Sequence, residues 1–324
     1  MKIIELAQIQ ELLSSVDLFS AIEAGFVSYS AGKAVIPPVG ELLFQNPPGD
    51  VHIKYGYLLN DRYYVIKIAS GFYENPTLNL PSSNGLMLLF DQKTGTPLAT
   101  LLDEGYLTDV RTAVAGAIAA KYLAPKHIHR IGIVGTGIQA RLQLQYLAKV
   151  IDCREAIVWG RNLDKAKQFQ QTITGKFNIA VAQTIQELTS TCNLIVTTTP
   201  STTPLVYADY VQPGTHITAV GADTPHKQEL DSIIFAKADC VVADSVSQCM
   251  ERGDIAHAIA QKLIMPESLT ELGDVISGKA PGRTLDEQIT VADLTGVAIQ
   301  DIQIAKVLYE AACRKKMAAS NMYQ

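Results

Sequence analysis

The residues whose types and spacing promise chemistry lie between Ile131 and Asn162. Gly135-Thr136-Gly137-Ile138-Gln139-Ala140 is a G-x-G-x-x-A turn, preceded by the apolar run Ile131 to Val134 and followed by an amphipathic stretch. A second apolar run, Ala156 to Trp159, completes a βαβ pattern. In such a turn Gly135 permits the tight bend and Gly137 leaves the backbone open to a pyrophosphate. Ala140 lets the helix approach the strand, and the free N–H groups of the helix N-terminus attract phosphate. The pattern predicts dinucleotide binding. An NAD site usually carries an acid about 20 residues past the glycines. The sequence there is Trp159-Gly160-Arg161-Asn162, without an acid. Arg161 can pair with a 2′-phosphate through its planar fork, which favours NADP(H) over NAD(H). The alternative is that Arg161 simply opens the next helix in solvent.

A second candidate is Arg111. The spacing predicts a helix over 108–124, with Thr108 as N-cap, Asp109 in the first turn and Pro125 beyond its end. A cation in a first turn opposes the helix dipole. Arg111 therefore either reaches solvent or a distant acid, or clamps an anion together with the helix N-terminus.

The elements that would position these residues fall into two kinds. Residues 5 to 31 predict one or two helices, Pro37-Pro38 ends regular structure, and strands follow over Val51–Leu59, Tyr63–Ala69, Leu86–Phe90 and Pro97–Leu102. Consecutive hairpins imply an antiparallel or mixed sheet. After residue 130 strands and helices alternate, with strands over Ile131–Val134, Ala156–Trp159, Cys192–Thr198, His216–Val220, Cys240–Ala243 and Ile289–Ala292. That is an α/β doubly wound Rossmann domain. Ligands bind outside the carboxyl ends of such strands, which places Thr197-Thr198-Thr199-Pro200 and Val220-Gly221-Ala222-Asp223 beside the nicotinamide half. A tail helix, Gly296 to Lys315, is expected to return to the N-terminal region. The expected division is a discontinuous α+β substrate and dimerisation domain, 1–124 completed by 296–324, and a Rossmann domain, 125–295.

Composition bounds the reading. The 324 residues are 48% apolar and 18% charged, with net charge −5 and dispersed basic residues, so no nucleic-acid or anionic-membrane footprint is present. Five scattered cysteines and the absence of C-x-x-C and H-E-x-x-H argue against a disulfide framework or a zinc site. No apolar run approaches a membrane span. A reducing cytoplasm is the expected compartment, and no metal is expected.

Several stretches together resemble the ornithine cyclodeaminase/mu-crystallin family. They are Tyr64-Val65-Ile66-Lys67 before Gly71-Phe72, Leu107-Thr108-Asp109-Val110-Arg111-Thr112-Ala113 before Lys121-Tyr122-Leu123, and the glycine turn. Val220-Gly221-Ala222-Asp223 before Lys227-Gln228-Glu229-Leu230, and Asp293-Leu294-Thr295-Gly296-Val297-Ala298-Ile299-Gln300-Asp301, complete the set. The resemblance covers essentially the whole chain and looks nearest to the cyclic ketimine reductases. It implies a homodimer joined through the N-terminal part. It further implies that Lys67 and Arg111 bind the substrate carboxylate, Asp223 faces the substrate nitrogen, Thr112 supports cofactor phosphate, and Val297 packs near the nicotinamide. Many members carry an Arg after the first proline-rich stretch. Pro37-Pro38-Val39-Gly40-Glu41 has none. Lys54 either replaces it or is a solvated strand residue.

The expected function is NADPH-dependent reduction of a cyclic imino acid, Δ1-pyrroline-2-carboxylate to L-proline, a step of proline metabolism. In that reading Lys67 and Asp223 take part in catalysis, and Arg111, Lys67 and Lys54 bind substrate. Thr112, Gly135 to Ala140, Arg161, Asn162, Thr198, Val220 and Val297 bind cofactor. His226 is either a proton donor or a solvated loop residue. The alternatives are ornithine cyclodeaminase with NAD, alanine dehydrogenase, and a non-catalytic ligand-binding relative.

Overall fold

The computed structural model describes residues 1–72, 74–173 and 177–321, the last five as backbone only. The chain divides into two compact units, 1–111 with 297–324 and 112–296. The division falls inside the helix Tyr106–Leu123, between Arg111 and Thr112, whereas the sequence reading had assigned that helix whole to the first domain.

The first unit is a mixed sheet with helices. Its strands are β1 (Lys2–Glu5), β2 (Ala34–Val35), β3 (Gly40–Gln45), β4 (Pro48–Leu58), β5 (Tyr63–Phe72), β6 (Ser83–Asp91) and β7 (Pro97–Leu102). They run in the order β1-β7-β6-β5-β4-β2, with β3 also on β4. Only the β1–β7 pair is parallel, and the rest are antiparallel. The helices Leu6–Leu13 and Leu18–Ser30 and the C-terminal helix Ile299–Asn321 pack together, and the last also covers β4, β5 and β6. Alternation along β5 sends Tyr63, Val65 and Lys67 to the covered face, and β4 sends Lys54, Gly56 and Leu58 there.

β3 was not expected. Its Leu42, Leu43 and Phe44 run consecutively and all lie exposed, so no alternation marks them as a strand. The predicted 108–124 helix begins two residues earlier, because Asp103 rather than Thr108 serves its N-terminus. The Asp103 carbonyl accepts from Tyr106 N–H at 2.9 Å, and its carboxylate accepts from Leu107 N–H at 2.8 Å. Arg111 accordingly sits in the second turn, where the dipole objection to a cation no longer applies.

The second unit is built on an eight-stranded, wholly parallel sheet. Its strands are β8 (Ile131–Val134), β9 (Glu155–Trp159), β10 (Asn178–Val181), β11 (Leu194–Thr197), β13 (His216–Ala219), β15 (Cys240–Ala243), β16 (Thr270–Glu271) and β17 (Thr290–Asp293). The order is β10-β9-β8-β11-β13-β17-β15-β16, the doubly wound arrangement. β12 (Thr202–Val206) and β14 (Gln228–Leu230) form a separate parallel pair. The central strands β8, β11, β13 and β17 are buried throughout, as continuous strands covered on both faces must be. Among the described residues no single helix is long and apolar enough to cross a membrane.

Candidate functional site

In the first unit the sheet register sets Lys54 on β4 directly opposite Lys67 on β5, both on the covered face. Like charges opposite one another are destabilising, so such a pair needs compensation. Lys67 is 2% exposed, Lys54 6% and Arg111 5%. Lys54 is therefore not the solvated strand residue that one reading allowed. Asp301, in the first turn of the C-terminal helix, answers the cluster. One of its oxygens lies 3.1 Å from Lys67 Nζ and the other 3.1 Å from Arg111 Nε. Neither oxygen is aligned as a hydrogen bond, so Asp301 balances charge without saturating the donors. Arg111 Nη1 donates to Gln300 Oε1 at 3.1 Å. Asp103 is the other buried acid of this unit, and burial pushes its carboxyl above the usual range.

Among the described residues, Lys54, Lys67 and Arg111 are the buried cations of this unit, and Asp103 and Asp301 its buried carboxylates. Burial pulls Lys67 down to about 7; Asp301 opposes that shift, and Arg111 and Lys54 reinforce it. A carboxylate ligand relieves such a cluster.

In the second unit the glycine turn has the shape a pyrophosphate requires. Gly135 takes φ +122°, and a Cβ there would lie 2.4 Å from Thr198 Oγ1. Thr198 is itself held on Val134 by two bonds to its carbonyl, from N–H at 2.9 Å and Oγ1 at 3.0 Å. A Cβ on Gly137 would meet nothing within 4 Å, so the space above the turn is open. Gly137 precedes the helix Ile138–Leu147 and supplies no side-chain cap, leaving its first N–H groups to a ligand. Ala140 is buried beneath, and Ile138 is exposed at the helix start. These residues fit a dinucleotide. Gln143, fully buried on the same helix, donates to the Thr112 carbonyl at 3.1 Å and so ties the turn's helix to Tyr106–Leu123. Arg161 is exposed just past β9. Asn162 caps the helix Leu163–Thr172 by accepting from Lys165 N–H at 3.0 Å, a structural duty that the sequence reading had not assigned it.

At the ends of β11 and β13 the loops carry Thr198, Val220 and Asp223. Val220 is buried. Asp223 is 38% exposed at its side chain and pairs with Lys227 Nζ at 2.7 Å. Arg252 Nη1 donates to the Asp223 carbonyl at 3.3 Å. His226 is exposed. Val297 is buried in the first unit, just before the C-terminal helix.

Sequence reasoning missed Asp301 and Gln300 beside the clamp, and Glu229 and Lys227 near Asp223. Each lies inside a stretch already singled out for its resemblance, but the partners that give it a role are distant in sequence.

Known proteins of similar sequence and fold exist. An alanine dehydrogenase of Archaeoglobus fulgidus is 40% identical over 313 residues, covering 96% of this chain and 95% of that one. The solved structure of an archaeal alanine dehydrogenase dimer with bound NAD superposes with TM-score 0.89 at 38% identity, covering 98% of this chain and 97% of the other. The Δ1-pyrroline-2-carboxylate reductase of Thermococcus litoralis, solved with NADH and L-proline, gives TM-score 0.91 at 30% identity, with 98% of each chain covered. A profile of the ornithine cyclodeaminase/mu-crystallin family matches residues 2–316, and the chain belongs to that family.

Proposed function

We propose that this protein reduces a cyclic imino acid with NADPH, converting Δ1-pyrroline-2-carboxylate to L-proline. More coarsely, it is an NAD(P)H-dependent oxidoreductase acting on a CH–NH/C=N bond. The observation that carries the reading is the burial of Lys67 and Arg111 on either side of Asp301, with Lys54 buried opposite Lys67 in the sheet register. Burying cations costs free energy unless something opposite pairs with them, and a substrate carboxylate supplies such a partner.

In this reading Lys67 and Arg111 hold the carboxylate, Lys54 adds to the field, and Asp301 keeps the two donors in place. Gly135 to Ala140 and Thr198 hold the dinucleotide, with Thr112, Val220 and Val297 as further cofactor contacts. When bound, the reduced nicotinamide supplies the hydride that the imine carbon accepts. Asp223 opposes the positive charge of the protonated ring nitrogen that accepts the electron pair released by hydride addition, and Lys227 Nζ donates to the Asp223 carboxylate at 2.7 Å. Arg161 favours the 2′-phosphate of NADPH; NADH is the alternative, and the nicotinamide cofactors named for the two solved relatives are NAD and NADH.

We assign dimerisation to the first unit, where β3 exposes Leu42, Leu43 and Phe44. Sedimentation at micromolar concentration should give a dimer, and a monomer would remove this assignment. A second reading, oxidative deamination of alanine, is favoured by the alanine dehydrogenase relative. Following NADPH oxidation with pyrroline-2-carboxylate, against pyruvate plus ammonium, separates the two. Turnover with the keto acid and ammonium alone would overturn the cyclic substrate.

A further inference from the structure

We propose that Glu229 is a positioning residue that fixes the nicotinamide half-site by holding two strand-end loops at one separation. The inference rests on the cofactor reading above and goes beyond it. Glu229 lies on β14, outside the main sheet, with its side chain fully buried. One carboxylate oxygen accepts from Thr199 N–H at 2.5 Å and Thr199 Oγ1 at 2.7 Å. The other accepts from Thr197 Oγ1 at 2.7 Å and Gly221 N–H at 2.8 Å. The first loop follows β11 and the second follows β13, neighbouring strands of the parallel sheet. These are the loops that a doubly wound fold places beside the nicotinamide.

The loops also touch directly. A Cβ on Gly221 would lie 2.2 Å from the Thr199 carbonyl oxygen and 2.4 Å from its nitrogen. Only glycine admits that approach, and the carboxylate clasps both sides of it. Glu229 is in turn held by Asp254, whose Oδ1 accepts from Glu229 N–H and Leu230 N–H, each at 2.8 Å. Asp223 stands two residues past Gly221, so its placement follows the clasp.

The clasp needs an acceptor at each of the two oxygens. Each oxygen faces one backbone N–H, which cannot turn away, and one hydroxyl, which can. An amide has a single acceptor oxygen, so glutamine at 229 leaves either Thr199 N–H or Gly221 N–H facing an NH2 group. A buried donor without an acceptor displaces its loop or stays unsatisfied.

The test compares two ligands on wild type, Glu229→Gln and Gly221→Ala, the second variant forcing the same loops apart by a different route. NADPH spans the whole site, whereas adenosine 2′,5′-bisphosphate carries only the adenosine half. Both variants should bind NADPH about tenfold more weakly or worse, with turnover reduced, while affinity for the bisphosphate moves by less than about twofold. Retained bisphosphate binding also reports a folded Rossmann unit. NADPH unchanged in Glu229→Gln, or both ligands weakened alike, would overturn the positioning role. A wild type that binds neither ligand would instead remove the cofactor reading, and this inference with it.

Discussion

The first unit buries Lys54, Lys67 and Arg111 against Asp301 and Asp103, while the second buries four carboxylates, Glu229, Asp244, Asp254 and Asp293. The two clusters have opposite sign and are satisfied differently. In the second unit the acids are answered by the fold itself. Glu229 takes four donors, and Asp244 takes Thr295 N–H, Thr295 Oγ1 and Gly296 N–H. Asp254 takes two backbone N–H groups and Asp293 takes that of Ile255. What remains is met by protons: burial holds the Asp254 carboxyl up at about 8 and raises Asp293 well above the usual range. In the first unit the partners of Lys67 and Arg111 are side chains, Asp301 for both and Gln300 for Arg111, and not backbone groups. In both units some carboxylate oxygens stay without a hydrogen bond, Asp254 Oδ2 and Asp293 Oδ1 in the second and both of Asp301 in the first; the units differ in the sign of the neighbouring charge.

The largest effect is expected at Asp223, a partly exposed acid on the loop after β13. Asp223→Asn keeps the shape and removes the charge, so turnover should fall by ~100-fold or more with little change in apparent substrate affinity. Steady-state constants decide it, and an effect confined to KM would make Asp223 a binding residue only.

Lys67 offers a sharper test through pH. With its ammonium at about 7, the free enzyme loses the clamp charge as pH rises through that value, and catalytic efficiency should fall up to about tenfold per pH unit above it. Lys67→Arg stays charged, so its profile should lack that limb. A shared limb in both proteins would assign the titration elsewhere.

Arg161→Asp should cut the preference for NADPH over NADH by roughly tenfold, as loss of one charge-assisted contact to the 2′-phosphate implies. Equal dissociation constants for the two cofactors in the wild type would remove Arg161 from the site.

A further test, read on stability and not on activity, is at Asp254. Its folded value lies above its unfolded one, so the folded state holds the extra proton. The stability this contributes is full at low pH and is lost as pH rises toward about 8. Asn mimics the protonated acid, keeping an acceptor for Glu229 N–H and Leu230 N–H. Asp254→Asn should therefore lose less stability than wild type between about pH 5 and pH 8, by at most about 1.4 kcal/mol per pH unit. Denaturation at both ends of that range checks the sign.

How much of this the sequence disclosed follows from where the partners lie. The glycine turn was legible because strand, bend and helix are consecutive, and the chemistry is done by backbone. The alternating strands of the second unit were legible for the same reason. Lys54 was ambiguous, since only the pairing register with Lys67 buries it. Asp103 was passed over for Thr108 as the helix cap, because a carboxylate reaching across Glu104 and Gly105 leaves no periodic mark. Asp301 and Glu229 were hidden by distance. Asp301 answers Lys67 and Arg111 from the far end of the chain, and Glu229 collects donors from two loops that only the sheet order makes neighbours.

The claim that the first unit's buried cations form the substrate's carboxylate site is tested most directly by Arg111→Ala. Catalytic efficiency and NADPH affinity should be measured side by side in wild type and variant. Loss of one charge-assisted hydrogen bond, on the order of 1.5–3 kcal/mol, predicts a fall in catalytic efficiency of ~10–100-fold or more with NADPH affinity hardly moved. If the variant weakened NADPH as much as substrate, Arg111 would be a cofactor residue and the assignment of the buried cations to the substrate carboxylate would be wrong.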